Sequence, residues 1–132
     1  YSRDLKEITG TFLELADAIR TAQASLILDG EIVAMRGEQI LPFADLQRRL
    51  GRRQGDLFMQ EQIPIRFVAF DLLWIDGRSF LNRPLHDRRQ ALESLSVLPC
   101  MRLARLCVAH SAAEIDGEFS SARARDCWWA TS

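Results

Sequence analysis

The chain has 132 residues, 48% of them hydrophobic, which is enough apolar material for one core and too much for a disordered tail. Its net charge of −1 excludes a protein that holds nucleic acid by overall positive charge. No apolar run approaches the roughly 20 residues of a membrane-spanning helix, and the opening Tyr1 to Glu7 has no secretory pattern, so a cytoplasmic (intracellular) protein with no membrane partner is expected.

Thr11-Phe12-Leu13-Glu14 has the spacing of a capping box and opens a predicted helix to about Gln23, with Phe12, Leu15, Ala16 and Ile19 at helical intervals. Ser25 to Met35 reads as a strand, Arg36-Gly37-Glu38 as a turn and Gln39-Ile40-Leu41 as a short return strand. Phe43 to Leu50 is a short amphipathic helix stopped by Gly51, and a polar connection then reaches Pro64. Ile65 to Ile75 is a second apolar strand, closed by the turn signal Asp76-Gly77. Pro84 suits the first turn of a helix to about Val97, with Leu85, Leu92 and Leu95 on its inner face. Met101 to Val108 is a candidate strand, and Ser111-Ala112-Ala113-Glu114 is a second capping box, opening a helix to about Arg125. Such an order predicts an α/β (α+β) domain with a largely antiparallel sheet flanked by helices.

The stretch L-I-L-D-G-E-I-V-A-M from Leu26 to Met35 sets two acids in the middle of an apolar strand. Strand alternation puts Asp29 and Glu31 on one face, about 7 Å apart, where they suit a metal, a ribose hydroxyl or a basic partner. Gly30 between them removes a side chain and lets a ligand or another backbone come close. The competing reading is a hairpin turned at Asp29-Gly30 with Glu31 solvated. In the second strand, Asp71 again sits in apolar surroundings beside Phe70, a ring able to stack on a planar base or simply to pack in the core.

Three motifs in order, S-R-D at Ser2, L-D-G-E-I-V at Leu28 and F-V-A-F-D-L-L-W-I-D-G-R at Phe67, followed by R-P-L-H-D-R-R at Arg83, resemble the adenylation domain of ATP-dependent DNA ligases. The resemblance runs from Tyr1 to about Arg125 and includes the connecting L-P-F-A-D-L-Q-R-R-L. It implies a partial nucleotidyltransferase fold with ATP and Mg2+ as cofactors and nicked double-stranded DNA as the partner of the full-length protein. It further implies that Arg3 contacts the nucleotide or a phosphate, that Glu31 engages the ribose and helps hold the metal, and that Phe70 stacks on adenine. Asp29 and Asp71 are expected to orient neighbouring loops.

In that family a lysine in a K-x-D-G motif attacks the α-phosphate of ATP to give a lysyl-AMP intermediate, from which nicks are sealed. No K-x-D-G occurs here, and Lys6, the only lysine, reads as a solvated turn residue. Residues 1–125 therefore read as the central part of an adenylation domain without its nucleophile, and 126–132 as an atypical tail whose codons are out of frame. Rival readings are an RNA ligase or capping-type nucleotidyltransferase, and a non-catalytic module that binds a nucleotide or partner. The sixteen arginines offer forks suited to phosphates and carboxylates, although genome composition gives the same bias and is the expected cause for most of them, and Arg48, Arg49, Arg52 and Arg53 read either as a DNA backbone contact or as a solvated face paired with acids such as Asp45 and Asp56. Cys100, Cys107 and Cys127 lack a C-x-x-C pattern and are expected as reduced thiols, and His86 and His110 stand apart from any ligand cluster.

Overall fold

The computed structural model describes residues 1–50, 57–95 and 98–124. Gly51, Arg52, Arg53, Asp56, Val97 and everything from Arg125 onward, including the expected atypical tail and Cys127, lie outside the described residues.

The frame is a mixed sheet built on two long strands, β1 (Leu26–Arg36) and β3 (Ile65–Ile75), paired antiparallel from Leu26↔Ile75 to Ala34↔Ile65. Their boundaries follow the two apolar, β-branched runs of the sequence. β2 (Gln39–Ile40) folds back on β1 through Gly37, whose φ of 60° suits a tight turn without side-chain strain. β4 (Arg78–Ser79) returns along β3 in the same way, through Asp76 and Gly77 at φ 44° and 85°. β5 (Met101–Leu103) is the one parallel neighbour among the described residues, pairing with Phe67 to Ala69 on the side of β3 away from β1. The sheet is thus largely antiparallel, as predicted.

Helices cover one face of it. α1 (Leu13–Ile19), α2 (Phe43–Leu50) and α3 (Leu57–Gln62) surround a cluster containing Phe12, Leu15, Ala34, Leu46, Met59, Ile63 and Ile65. α4 (Leu85–Ser94) lays Leu92 on Ala69, Leu72 and Met101. A third, smaller cluster of Val33, Met35 and Val68 lies on the opposite face at the β2 end of the sheet.

Several expectations change. α1 stops at Ile19, because its last turn tightens: Thr21 N–H donates to Ala18 O at 3.2 Å and the Thr21 hydroxyl donates to the same oxygen at 2.6 Å. The Thr11–Glu14 capping box does not form; Phe12 is the cap, with no side-chain hydrogen bond, because Glu14 is engaged by Arg49. The second box forms in its first half and shifts in the other: Ser111 Oγ accepts the Glu114 N–H at 3.2 Å, while Glu114 Oε2 accepts the N–H of His110 at 2.6 Å, one residue before the cap, at the start of α5 (Ala112–Ala124). α3 arises in the stretch expected to be a polar connection, and Met59 and Ile63 tie it to the core. Leu85 is 61% exposed rather than on the inner face of α4, since the helix meets the sheet through later residues, Ala91 and Leu92, with Leu95 just beyond it. The strand expected from Met101 to Val108 ends at Leu103, where pairing with β3 ends, leaving Leu106 and Val108 exposed.

Candidate functional site

β1 runs unbroken through Asp29-Gly30-Glu31, which removes the hairpin alternative. Leu28, Ile32 and Ala34 pack toward the helices, so alternation sends Asp29, Glu31 and Val33 to the other face. Along that face burial falls steadily: Val33 is enclosed, Glu31 is half-buried, Asp29 is exposed and Ile27 is 54% exposed. The sheet therefore offers an open ledge at one end and a closed apolar patch at the other.

Gly30 is required by space. A Cβ there would stand 2.4 Å from the Val68 carbonyl oxygen and 2.6 Å from Phe67 Cζ. Another backbone and a ring approach closely here, as the sequence anticipated, and the approach is from within the fold.

Two irregularities in the β1–β3 register fall on β3. Asp29 faces Asp71 and Gly30 faces Ala69, which leaves Phe70 between them with no partner on β1. Such a bulge redirects a side chain. Ala69 is fully buried, while Phe70, two residues on from Val68 and hence toward the Glu31 face, is 38% exposed. Ordinary core packing does not account for it.

Ser2-Arg3-Asp4-Leu5 forms a turn in which Leu5 N–H donates to Ser2 O at 2.9 Å, and the chain is closed again by Ser2 N–H on Lys6 O at 2.9 Å. Leu5 adopts φ 57°, uncommon for a branched side chain, and the turn holds Arg3 in solvent. Arg3 lies close enough to Glu31 to act on its ionisation. Burial pushes the Glu31 carboxyl above the usual carboxylate range, and the Arg3 charge pulls it back in part. Arg3 is thus within electrostatic range of Glu31 without forming an ion pair with it, and Phe70 stands exposed on the neighbouring strand. Lys6 is exposed beside this turn, and its backbone, through O and N–H, closes it.

Asp71 is held by the fold. Arg88 Nε donates to both carboxylate oxygens at 2.9 Å, Nη2 reaches Oδ2 at 2.9 Å, and the Leu72 N–H donates to Oδ1 at 2.9 Å. That contact raises the Arg88 pKa further, chiefly through the hydrogen bond to Asp71. Arg88 was legible only as one of three arginines in R-P-L-H-D-R-R; nothing in a spacing of 17 residues announces its partner. Asp29, exposed opposite Asp71, has no such clasp among the described residues and stays at the ledge.

The arginines of α2 divide. Arg48 pairs with Asp45 at 3.2 Å on the surface, as one expectation had it. Arg49 is buried at 7% exposure, donates to Ile63 O at 2.9 Å and is paired with Glu14, so it belongs neither to a solvated face nor to a DNA contact. Cys100 and Cys107 are free thiols, and burial pushes the Cys100 thiol up. No helix among the described residues is long and apolar enough to cross a membrane.

Comparison with known proteins decides the family. The sequence model of the "ATP dependent DNA ligase domain" matches residues 1–127. The chain belongs to the ATP-dependent DNA ligase domain family. A "Probable DNA ligase" of Opitutus terrae is 39% identical over 155 aligned residues, taking in 95% of this chain and 15% of the relative. A "Probable DNA ligase" of Koribacter versatilis is 42% identical over 95 residues, covering 72% of this chain and 16% of the relative. Among solved structures, the ligase domain of LigD from M. tuberculosis superposes with a TM-score of 0.69 at 28% identity, covering 95% of this chain and 37% of that one. The chain thus spans about one sixth of those ligases' length, and the mixed α/β fold is that of the ligase domain.

Proposed function

We propose that this chain forms one wall of the nucleotide pocket of an ATP-dependent DNA ligase. Phe70 stacks on adenine, Glu31 accepts a ribose hydroxyl, and Arg3 reaches a phosphate, where its fork suits two oxygens. The observation that carries this reading is the β3 bulge, which exposes Phe70 toward the half-buried, Arg3-coupled Glu31. A further support is the likeness to a mycobacterial DNA ligase D structure described as complexed with ATP, at 26% identity and a TM-score of 0.67.

Among the described residues no three His, Cys, Asp or Glu side chains converge as a metal cage. A magnesium ion at this wall would be held by Glu31 together with phosphate oxygens and water, a mode natural to that ion. Its chemistry when bound is to neutralise phosphate charge. The chain's own residues bind and orient: the ring fixes the base, the carboxylate fixes the sugar, and the guanidinium draws the phosphates to the open end of the ledge. The amine nucleophile lies outside these residues, since the only lysine is Lys6 on the Arg3 turn. In the complete protein this wall serves the sealing of nicks in double-stranded DNA, in the settings of replication, repair and recombination.

The test is equilibrium binding of ATP to the 132-residue chain with magnesium present. Phe70→Ala should weaken it by about tenfold, in line with roughly 1–3 kcal/mol for a base on an aromatic ring. Binding that is absent, or that is unchanged in the variant, overturns the proposal.

A further inference from the structure

We propose that Arg88 is a positioning residue for the Phe70 ring, acting through Asp71, and so governs how well this surface distinguishes an adenine nucleotide from a bare polyphosphate. The inference rests on the nucleotide reading of Phe70 given above.

Phe70 occupies a bulge and lacks a cross-strand partner, so its direction depends on the residues on either side. Ala69 is fixed by burial against Leu92 of α4. Asp71 is the residue next to Phe70 in the bulge, and its carboxylate turns to Arg88 of α4. Arg88 holds that carboxylate in place. Its guanidinium takes both Asp71 oxygens, and Nη1 donates to Arg83 O at 2.6 Å, so one planar group ties the bulge to the loop that leads into α4. The pair is largely enclosed, with 20% and 18% of the two side chains exposed, which shields it from screening. Lysine would keep the charge and lose the fork. With the clasp gone, Asp71 is free to turn and the backbone that aims Phe70 relaxes.

The experiment compares the unaltered chain with Arg88→Gln, Arg88→Lys, Phe70→Ala and the double variant Phe70→Ala/Arg88→Gln, measuring affinity for ATP and for inorganic tripolyphosphate, with thermal melts alongside. Arg88→Gln should lose about fivefold in ATP affinity, a part of what stacking supplies, and keep its tripolyphosphate affinity. Arg88→Lys should restore little of the loss. The double variant should bind ATP no more weakly than Phe70→Ala alone, since the Arg88 effect passes through the ring. A folded Arg88→Gln that binds ATP normally, that loses both ligands together, or whose loss adds to that of Phe70→Ala overturns the inference. If the Arg88 variants fail to fold, Asp71→Asn serves in their place, and its unfolding as well would make the contact a fold determinant only and overturn the positioning role. Failure of Phe70→Ala to alter ATP binding would instead refute the nucleotide reading itself.

Discussion

Replacing Gly30 by alanine tests whether the centre of the site is set by space. The added Cβ would sit 2.4 Å from Val68 O, 2.6 Å from Phe67 Cζ and 2.9 Å from Phe67 Cε2, where ordinary contact begins near 3.4 Å. Neither neighbour gives easily. Val68 is paired with Glu31 on one side and with Arg102 on the other, and the Phe67 ring packs against two core clusters. Overpacking of this kind costs about 1–3 kcal/mol, while alanine regains roughly 0.5–1 kcal/mol through a less flexible unfolded chain. The balance is a loss centred on about 1 kcal/mol and reaching about 2.5 kcal/mol, which at about 4 °C per kcal/mol for a chain of this size lowers the melting midpoint by roughly 4 °C and by at most about 10 °C. A circular-dichroism melt with a parallel urea titration reads this directly. An equal or higher midpoint would refute the packing explanation, because a strand glycine with open space around it should gain from the same change.

Gly117 provides the opposite sign: no atom lies within 4 Å of its would-be Cβ inside α5, so Gly117→Ala should raise local helix stability by about 1 kcal/mol, read by amide exchange. Ser111→Ala removes the cap that accepts the Glu114 N–H and should cost α5 about 1 kcal/mol by the same readout, since no residue of that helix is buried to compensate. Arg49→Ala should destabilise the chain by about 3–5 kcal/mol, because it strands Glu14, whose Oε2 is already buried without a hydrogen bond, and frees Ile63 O; joint replacement of Glu14 by Gln should recover part of that loss in denaturant titrations. Glu31 is protonated more readily in the fold than in the unfolded chain, so its contribution to stability is complete below 4.5 and fades as pH rises through its raised folded pKa. Glu31→Gln should therefore melt higher than the unaltered chain at pH 7, with the gap closing as pH approaches 4.5, and a gap independent of pH would count against the burial of that carboxyl.

The sequence by itself determined the long elements and the family. β3 and α2 have the boundaries their patterns predict, and β1 comes within a residue at each end, because period-2 and period-3.6 apolar repeats are properties of neighbours along the chain. The S-R, D-G-E and F-D-L-L strings were likewise readable as a ligase signature, and the turn residues Gly37, Asp76 and Gly77 marked both hairpins. Tertiary structure alone decided what those elements do to one another. The α1 capping box was legible and went unused, since a buried Arg49 had a stronger claim on Glu14. Phe70 was visible as an aromatic residue, but its exposure follows from a register shift against β1 that no local pattern encodes. Gly30 was legible as a close approach, and only the fold showed that Phe67 and Val68 occupy it. Asp71 found its partner 17 residues away through the docking of α4 on β3. Periodicity fixes which face a residue takes; the pairing of charges and rings across elements depends on where burial brings those faces together, and that is settled only when the whole core packs.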